Sequence, residues 1–470
     1  IESDMHVYYE LADYFTFEVP GAKFMPTYKN KYWDGKIRLF NIQNNQIYVG
    51  LLDKIVQFCK DHEYTYEFVK SKFYGLPFEE NPTISKEGVK DYITSISKYK
   101  PRDYQVDGIY DALKYNRKLL ISPTASGKSL MIYGIVRYYV ERNQNTLIVV
   151  PTTSLVEQMY KDFEDYGWDV GSYCHKIYAG KERVTDSQVI ITTWQSIYKL
   201  PRKYFDRFSV VVGDEAHQFK SKSLISIMTK LGNAKYRYGF TGTLDGTQTH
   251  KWVLEGLFGP SYKIIKTDEL MKKGHVATLD INVLLLKHPP NKFETFEDEI
   301  QYIITHNRRN NFIRNLALDQ EGITLVLFQF VENHGGLLLQ AIKEKNETKS
   351  VFYVHGGVAA EDREAVRLIC ERNQNAIIVA SMGTFSTGIN IPKIKQVIFA
   401  HPSKSKIRTL QSIGRGLRKA KGKSDVVLFD IVDDLRYKKK KNYTYNHFEQ
   451  RLAFYTAEQF KTTIARIPIS

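Results

Sequence analysis

The stretch LLISPTASGKSLMIYGIV, residues 119–136, decides the fold class because it passes from a short apolar run through a polar loop into a helix-like apolar segment. In this strand, loop and helix order, backbone N–H groups and a helix N-terminus can surround phosphate groups. The lysine of such a loop neutralises the β and γ oxygens, and the hydroxyl that follows completes the Mg²⁺ shell. Lys128 and Ser129 occupy those two positions. The stretch therefore predicts a site for a nucleoside triphosphate such as ATP.

The loop departs from the pattern G-x-x-x-x-G-K-[ST] at one position, because Ser122 stands where the pattern has its first glycine. Thr124, Ser126 and Gly127 are predicted to line the phosphates with Lys128 and Ser129. The alternative is a chance Gly-Lys-Ser sequence. The apolar run before the loop and the helical run after it favour the phosphate site.

A pair of carboxylates follows a second apolar run. Residues 209–213 (SVVVG) read as a buried strand, and Asp214-Glu215-Ala216-His217 comes directly after it, about 85 residues beyond Lys128. Mg²⁺ prefers carboxylate and phosphate oxygens, and an attacking water needs a base close by. We assign Asp214 to Mg²⁺ and Glu215 to the water. The alternative for the tetrapeptide alone is a solvated turn or a helix cap.

Composition indicates a soluble multidomain protein with a polyanionic partner. The 470 residues are 43% hydrophobic and carry a formal net charge of +15, and about three domains are expected at this length. Residues 1–95 hold 11 Lys/Arg against 14 Asp/Glu, whereas residues 401–470 hold 16 against 6. The excess of positive charge therefore lies beyond the N-terminal segment, although basic proteins of other kinds share this property.

Cysteine spacing and hydropathy indicate the cellular environment of the protein. Cys59, Cys174 and Cys370 are widely spaced and form no C-x-x-C pair, so we expect reduced core residues and neither a disulfide framework nor a zinc site. No apolar stretch approaches the ~18 residues of a membrane span. We expect a soluble, cytoplasmic protein.

The order of strand-like and helix-like segments predicts an α/β fold. From residue 96 onward, β-branched runs that end in polar loops alternate with helical stretches, which indicates two tandem doubly wound parallel sheets. Residues 96–262 and 263–435 are the two predicted sheet domains, and residues 1–95 are a small α+β domain. Residues 436–470 are a basic linker and a C-terminal helix. The lysines of this linker either bind phosphates or are simply solvated.

The N-terminal domain contains a stretch in which basic and aromatic residues alternate. Cations near a polyanion contact its backbone while aromatic rings stack on bases. The stretch therefore predicts a DNA-binding surface, composed of Lys29, Lys31, Trp33, Lys36 and Arg38. The alternative is a hairpin with solvated lysines and a packed tryptophan.

Ordered motifs from residue 102 to 418 resemble those of superfamily 2 helicases and translocases, which hold ATP between two RecA-like lobes. The resemblance implies that Arg102 and Gln105 belong to the ATP site, with Gln105 at the adenine. It also implies that His217, Thr241 and Thr243 couple hydrolysis to strand movement. The motifs after two further strands imply contacts with strand phosphates, made by Pro151, Thr152, Thr193, Trp194 and Gln195.

The second lobe carries two more motifs of this resemblance. Residues 380–390 imply DNA contacts by Ser381 and Thr384 and an ATP contact by Gly388, while Asn390 stands where many relatives have aspartate. Residues 411–418 (QSIGRGLR) imply that Gln411 contacts ATP and that Arg415 and Arg418 reach the γ-phosphoryl group. An arginine from another domain can stabilise the charge that spreads over this group. A basic surface helix is the alternative, because three further lysines follow.

The segment Tyr32-Trp33-Asp34-Gly35-Lys36-Ile37-Arg38-Leu39 and the Pro-Thr-Thr-x-Leu motif resemble the phage UvsW-type recombination helicases. This resemblance implies a monomer on DNA that uses ATP and Mg²⁺ for branch migration, fork regression and duplex unwinding. Two alternatives stay open. One is an RNA helicase, and the other is a strand-annealing scaffold that ATP switches without directional movement. A nuclease subunit is disfavoured because no carboxylate-lysine cluster stands outside the ATP motifs.

Overall fold

The computed structural model of the chain describes residues 1–69, 80–180, 182–244, 246–373, 375–388, 391–402, 425–438 and 440–469. They form two compact units. The first unit comprises residues 1–122 and 127–264, and the second comprises residues 123–126 and 265–470. The finer division into residues 1–95, 96–262, 263–435 and 436–470 remains a prediction. Across the described ranges, no helix is both long enough and apolar enough to cross a membrane.

The N-terminal segment is a small α+β structure in which short strands pair antiparallel, β1 with β2 and β3 with β4. Its elements are α1 (Met5–Tyr14), β1 (Thr16–Glu18), α2 (Pro26–Lys29), β2 (Lys36–Arg38), β3 (Phe40–Asn41), β4 (Gln46–Ile47), α3 (Leu52–Asp61) and α4 (Lys86–Ile96). Asn45 adopts a left-handed φ of 55° in the turn between β3 and β4. This combination of helices and antiparallel strands matches the α+β structure predicted for this segment.

The rest of the first unit is a seven-stranded parallel sheet with the strand order β11-β5-β10-β9-β6-β8-β7. The strands are β5 (Arg117–Ile121), β6 (Thr146–Val150), β7 (Cys174–Ile177), β8 (Val189–Thr193), β9 (Val210–Asp214), β10 (Tyr236–Thr241) and β11 (Ser261–Lys263). The helices are α5 (Asp103–Lys114), α6 (Lys128–Val140), α7 (Thr153–Asp165), α8 (Val170–Tyr173), α9 (Trp194–Ile197), α10 (Arg202–Phe205), α11 (Lys222–Lys230) and α12 (Gln248–Phe258).

The second unit contains another seven-stranded parallel sheet, with the order β14-β15-β13-β16-β17-β12-β18. The strands are β12 (Thr278–Lys287), β13 (Ile323–Phe328), β14 (Ser350–Val354), β15 (Ala376–Ser381), β16 (Ile394–Phe399), β17 (Asp425–Asp434) and β18 (Lys461–Pro468). The helices are α13 (Thr267–Lys272), α14 (Phe296–Thr305), α15 (Asn307–Asp319), α16 (Leu337–Lys345), α17 (Ala360–Arg372), α18 (Met382–Gly388) and α19 (Tyr443–Ala457). The two tandem parallel sheets predicted from the sequence are present.

Close packing on both faces explains why strand β9 is apolar up to its last residue, Asp214. All five of its residues are buried. At Gly213 a Cβ atom would lie 2.7 Å from Cζ of Phe219 and 2.8 Å from Cζ of Phe258, so two aromatic rings occupy the space of a side chain. A glycine is required here because the rings meet the strand one residue before Asp214.

The cysteines carry free thiols. Cys174 and Cys370 are buried, as predicted for core residues, and Cys59 is half-buried. Burial raises the pKa of the Cys174 thiol to about 12, so this side chain stays protonated and unreactive at neutral pH.

The C-terminal segment forms helix α19 and then strand β18, which extends the second sheet beside β12. The sequence predicted the helix and not the strand. Glu299, fully buried on α14, accepts hydrogen bonds from the backbone N–H groups of Tyr443 (2.8 Å) and Thr444 (2.7 Å) at the start of α19. A carboxylate at a helix N-terminus satisfies donors that the helix itself leaves open.

A buried ionic cluster joins four elements of the second unit. Arg309 on α15 donates from Nε to Oδ1 of Asp433 at 2.8 Å, and from Nη2 to the backbone oxygen of Ala400 at 2.7 Å. His288 contacts the same Asp433 oxygen through Nε2 at 2.8 Å. Burial alone raises the pKa of Asp433, but the charge of Arg309 and the hydrogen bond from His288 outweigh it and lower the pKa to about 2. Asp433 is therefore ionised and depends on both partners.

We expect Arg309→Met to destabilise the second unit by about 3–5 kcal/mol, because Asp433 keeps its buried charge and loses its main partner. Far-UV circular dichroism during urea unfolding reports both units. Fluorescence reports the first unit, since all four tryptophans lie at or before residue 252. The fluorescence transition should stay in place while part of the dichroism transition moves to lower urea.

Arg314→Met is the matched control on the same helix, because Arg314 donates hydrogen bonds to the exposed side chains of Asn311 and Asn315. Its effect should stay within about 0.5 kcal/mol. Equal shifts for Arg309→Met and Arg314→Met would contradict a stabilising role for the cluster.

Candidate active site

The phosphate loop connects β5 to α6 and is shaped by two residues in the left-handed region. Ala125 has a φ of 67° and Gly127 a φ of 82°. At Gly127 a Cβ atom would lie 2.2 Å from Nε2 of Gln105, so a glycine is needed for both its backbone angle and its close contact. Ser126 donates from Oγ to the backbone oxygen of Pro123 at 2.6 Å, which closes the loop on itself. The loop thus leads directly into the N-terminus of a 13-residue helix.

Lys128 and Ser129 open helix α6, as the sequence predicted for this stretch. Nζ of Lys128 donates to the backbone oxygen of Ser122 at 3.4 Å, so the ammonium group lies over the loop. Ser122, the residue at the first glycine position of the pattern, is fully buried, and its N–H donates to the backbone oxygen of Thr241 at 2.9 Å. The serine is accommodated because its backbone continues the pairing with the neighbouring strand. The Ser129 side chain forms a hydrogen bond with Tyr166.

Asp214 is the last residue of β9, and Glu215 follows with a left-handed φ of 51°. The Glu215 N–H donates to Oδ1 of Asp214 at 2.9 Å. Burial, followed by repulsion from Glu215, raises the pKa of Asp214 to about 7, while the charge of Lys128 acts in the opposite direction. Asp214 and Glu215 are two carboxylates with one ammonium group, that of Lys128, nearby. Negative charge at this position therefore exceeds positive charge. A hard divalent cation such as Mg²⁺ fits these donors.

His217 links the carboxylate pair to strand β10. Its Nδ1 lies 3.1 Å from Oγ1 of Thr241 and 3.4 Å from Oε2 of Glu215. Because the Thr241 hydroxyl donates its proton to the backbone oxygen of Thr243 at 3.0 Å, it accepts from His217, and Nδ1 carries the proton. Burial lowers the pKa of His217, so its ring is neutral at pH 7. The three predicted coupling residues therefore lie in one chain of contacts.

Gln105 connects helix α5 to the phosphate loop. Its Oε1 accepts from the N–H of Arg102 at 2.9 Å, and its Nε2 donates to the backbone oxygen of Gly127 at 3.4 Å. Arg102 donates from Nη1 to the hydroxyl of Tyr104 at 2.8 Å. Gln105 thus lies beside the loop, Arg102 lies beside Gln105, and the contacts of both residues with a nucleotide remain a prediction.

The predicted strand-phosphate residues of the first unit meet at the ends of the neighbouring strands β6 and β8. Gln195 donates from Nε2 to the backbone oxygen of Pro151 at 3.5 Å. Thr152 caps helix α7 by accepting from the N–H of Leu155 at 3.3 Å. Thr193 is buried, and its hydroxyl lies 2.9 Å from that of Ser196, while Trp194 is half-buried. Of these five residues, Gln195 alone is exposed.

In the second unit, Ser381 ends β15 and donates from Oγ to Oγ1 of Thr384 at 2.8 Å, so both predicted DNA contacts are buried together at the start of α18. Gly388 ends that helix. Asn390, Gln411, Arg415 and Arg418 lie outside the described residues, and their assignments rest on the sequence alone.

The residues of the predicted N-terminal surface differ in how far the structure exposes them. Trp33 is half-buried and donates from Nε1 to the backbone oxygen of Lys36 at 2.8 Å, and Arg38 forms an ion pair with Asp34 at 2.5 Å. The side chains of Lys29, Lys31 and Lys36 are exposed.

The most exposed aromatic rings of this region are Phe24 at 80% and Tyr32 at 85%, neither of which was among the predicted contacts. Alternation of basic and aromatic residues indicated the segment, but it could not show which rings point outward.

Three neighbouring strands, β5, β10 and β9, thus end at a phosphate loop, at Thr241 and at Asp214, and a second parallel sheet follows. This fold and site define a superfamily 2 helicase or translocase. The chain matches the families described as DNA helicase UvsW, N-terminal (residues 1–69), Type III restriction enzyme, res subunit (98–246) and Helicase conserved C-terminal domain (308–420). It is 33% identical to the ATP-dependent DNA helicase uvsW of Enterobacteria phage T4, over 98% of this chain and 95% of that protein. The chain belongs to the UvsW family of DNA helicases.

Other comparisons agree with this assignment. The crystal structure of T4 UvsW covers all of this chain with 30% identity and a TM-score of 0.50, over 97% of that structure. The DNA 3'-5' translocase XPB2 of Sulfurisphaera tokodaii is 24% identical over 71% of this chain and 82% of its own length. Yeast Dbp5 in complex with RNA and ADP BeF3 is similar in fold alone, with a TM-score of 0.57 at 15% identity, over 83% of this chain and 96% of that structure. The predicted fold class and family are confirmed.

We expect Thr241→Val to lower kcat for ATP hydrolysis about tenfold, because the buried His217 N–H loses its threonine acceptor, a loss of about 1–3 kcal/mol. KM for ATP should change little, since Thr241 contacts His217 and not the phosphate loop side chains. Thr241→Ser keeps the hydroxyl and should restore most of the rate. Steady-state hydrolysis of Mg-ATP with saturating DNA measures both constants. A serine variant as slow as the valine variant would contradict this role of the hydroxyl.

Proposed function

We propose that this helicase translocates on DNA at the expense of ATP and remodels branched DNA by branch migration of four-way junctions, fork regression and duplex unwinding. Recombination, repair and replication restart require such reactions. The observation that carries the proposal is the convergence of the phosphate loop, Thr241 and Asp214 on three adjacent strands. The full-length similarity to a DNA helicase supports DNA as the partner. We further propose that the protein acts as a monomer on DNA in the cytoplasm.

In the proposed hydrolysis step, Lys128 neutralises the β and γ oxygens of ATP, and Glu215 orients or deprotonates the attacking water. Ser129 and Asp214 would hold Mg²⁺, which supplies positive charge to the phosphates when bound. The raised pKa of Asp214, about 7, supports this assignment because a carboxylate in such surroundings gains from a nearby cation.

The remaining ATP contacts are proposed from their motif positions. Gln105, beside Arg102, would contact the adenine, and its position against the loop supports this role. Arg415 and Arg418 would stabilise charge on the transferring γ-phosphoryl group. Further contacts are assigned to Thr124, Ser126, Gly127, Gly388 and Gln411.

The DNA strand is proposed to pass over the loops that follow strands β6, β8 and β15. The hydrogen bond between Gln195 and Pro151 supports a joint phosphate-gripping surface in the first unit. Ser381 and Thr384 would contribute to it from the second unit. The contacts of His217 with Thr241 support the proposed coupling of hydrolysis to strand movement.

We expect the full-length protein to convert a four-way DNA junction into products with Mg-ATP and not with a non-hydrolysable analogue. Lys128→Ala should abolish conversion and ATPase activity, because the phosphates lose their point charge, while its affinity for DNA stays within about threefold. Gel electrophoresis of labelled junctions measures conversion. A matched RNA junction should stimulate the ATPase less than the DNA junction.

Each alternative has its own signature in this assay. Equal conversion with ATP and with the analogue would establish a strand-annealing scaffold, and stronger stimulation by RNA would establish an RNA helicase. Hydrolysis by Lys128→Ala at the parent rate would overturn the phosphate assignment.

The tip of the N-terminal domain is the proposed contact with the branch point. We use the name N-terminal tip for residues 22–32, which form a 3-10 turn (Ala22–Phe24) and helix α2. Phe24 and Tyr32 expose their rings there, and Lys23, Lys29 and Lys31 are exposed beside them. Exposed rings among cations suit stacking on bases next to bound phosphates.

We expect the double variant Phe24→Ala/Tyr32→Ala to bind forked DNA about tenfold more weakly, since stacking contributes about 1–3 kcal/mol per base. Its ATPase rate without DNA should be unchanged, because both rings lie on the surface of another domain. Fluorescence anisotropy with a labelled fork measures the affinity. Tyr9→Ala removes another exposed ring, 63% accessible on α1, and should have no effect. Equal affinities of the double variant and Tyr9→Ala for the fork would show that the N-terminal tip does not bind DNA.

A further inference from the structure

We infer that helix α12 (Gln248–Phe258) transmits the state of the N-terminal domain to the carboxylate pair, and that His250 on this helix is a positioning residue for His217. The inference rests on the proposed function in one respect, because it takes the N-terminal domain to bind DNA. It adds a mechanical connection between that domain and the site of hydrolysis. None of the sequence motifs includes this helix.

The first contact of α12 with the active site is a hydrogen bond from a buried histidine. Nε2 of His250 lies 2.9 Å from the backbone oxygen of His217. A carbonyl oxygen only accepts, so Nε2 carries the proton. His250 is 4% exposed, and its own N–H donates to Oγ1 of Thr247, which caps the helix, at 3.3 Å. The position of the helix start therefore sets the position of the His217 backbone.

The second contact lies on the other side of the carboxylate pair. Phe258, at the end of α12, packs edge-on against Phe219 with ring centroids 5.0 Å apart. Its ring also fills the space beside Gly213, where a Cβ atom would lie 2.8 Å from Cζ of Phe258. Gly213 directly precedes Asp214, and His217 follows Glu215 by two residues. The helix thus holds the chain both before and after the two carboxylates.

The opposite side of α12 is covered by the N-terminal domain. Trp252 lies within a group of aromatic rings from α1, from β1 and from Phe15 between them. The centroid distances are 5.7 Å to Tyr14, 5.5 Å to Phe15 and 5.2 Å to Phe17. Trp252 and Val253 are both buried in the core of that domain. The helix is therefore shared by two cores, since Leu254, Leu257 and Phe258 belong to the core beneath the sheet.

The backbones also approach closely at one glycine. At Gly50, in the 3-10 turn Val49–Leu51, a Cβ atom would lie 2.1 Å from the backbone oxygen of Glu255 and 2.7 Å from that of Gly256. In turn, a Cβ atom at Gly256 would lie 3.1 Å from Cβ of Tyr48. The backbones of the turn and the helix are in direct contact at Gly50, so the two must move together.

Through these contacts, a movement of the N-terminal domain displaces residues of the active site. Packed interiors transmit displacement because they contain little free volume. A shift of the domain on DNA must therefore move α12, and with it the His217 carbonyl and the ring under Gly213. A displacement of ~1 Å at catalytic groups changes rates by as much as ~10²-fold. DNA held by the N-terminal domain would in this way raise the rate of hydrolysis.

Two variants of the full-length chain break the connection without altering a catalytic or DNA-contacting residue. Gly50→Ala inserts a methyl group between the turn and the helix, and Trp252→Leu removes the ring contacts. We expect both to keep the DNA-free ATPase rate and the affinity for forked DNA within about twofold, whereas the ATPase rate with saturating fork falls about five- to tenfold toward the DNA-free rate. Trp252→Phe keeps a ring and should restore most of the stimulation, and Tyr9→Ala should behave as the unaltered chain.

The measurements separate the outcomes. Normal maximal stimulation in Gly50→Ala and Trp252→Leu overturns the inference and leaves the proposed function standing. An equal fall of the DNA-free and DNA-stimulated rates also overturns it, because α12 would then only support the site. If the variants lose affinity for DNA but reach full ATPase stimulation at saturating DNA, the inference is also overturned, because the N-terminal domain would then only hold the DNA. Absence of stimulation in the unaltered chain overturns the proposed function itself.

A thermal unfolding scan accompanies each variant, because an overpacked Gly50→Ala could unfold the N-terminal domain. If its transition falls by more than about 4 °C, the decision rests on Trp252→Leu against Trp252→Phe. His250→Gln keeps a side-chain N–H donor, whereas His250→Ala does not. Stimulation that is retained in His250→Gln and lost in His250→Ala supports the positioning role, and equal stimulation in both contradicts it.

Discussion

A carboxylate buried at the end of an apolar strand requires positive charge, and this requirement organises the first unit. Asp214 lies where three valines and a glycine bring the chain to the edge of the sheet, with a second carboxylate beside it. Burial raises its pKa to about 7, and the ammonium group of Lys128 opposes that shift only in part. Lys128, at the phosphate loop, lies where it can bring positive charge to this point. Strand β10 and His217 lie where they can bring hydrogen bonds. A nucleotide with its cation would supply the positive charge that this arrangement lacks.

Those parts of the site that depend on local sequence order could be predicted. The phosphate loop and the carboxylate pair each follow an apolar run, Thr241 ends β10, and parallel strands bring their carboxyl ends to one edge. The two sheets were likewise visible in the alternation of apolar runs and helices. Ser122 looked like a defect in the pattern, yet the structure accommodates it because the backbone N–H at this position bonds to the next strand.

What could not be predicted depends on contacts between distant segments. Trp33 reads as an exposed stacking residue, but it bonds to a backbone oxygen three residues on, while Phe24 and Tyr32 are the rings that face solvent. His250 stands in no motif, and its role follows only from the packing of α12 between two cores. None of the residues of strand β18 is buried, so its sequence lacks the alternation that marks a half-buried strand. Its assignment depends on the strand with which it pairs.

The position of β12 in the second sheet affects how the chain acquires its structure. Both of its neighbours, β17 and β18, come from the far end of the unit, and Asp280 pairs with Lys461 across 181 residues. During synthesis, β12 therefore leaves the ribosome long before either neighbour exists. Its apolar residues must stay soluble through that interval, and contacts of such sequence separation form slowly. The strands of the first sheet, from β5 to β11, all lie within residues 117–263, so that sheet is synthesised in full before β17 and β18 of the second sheet exist.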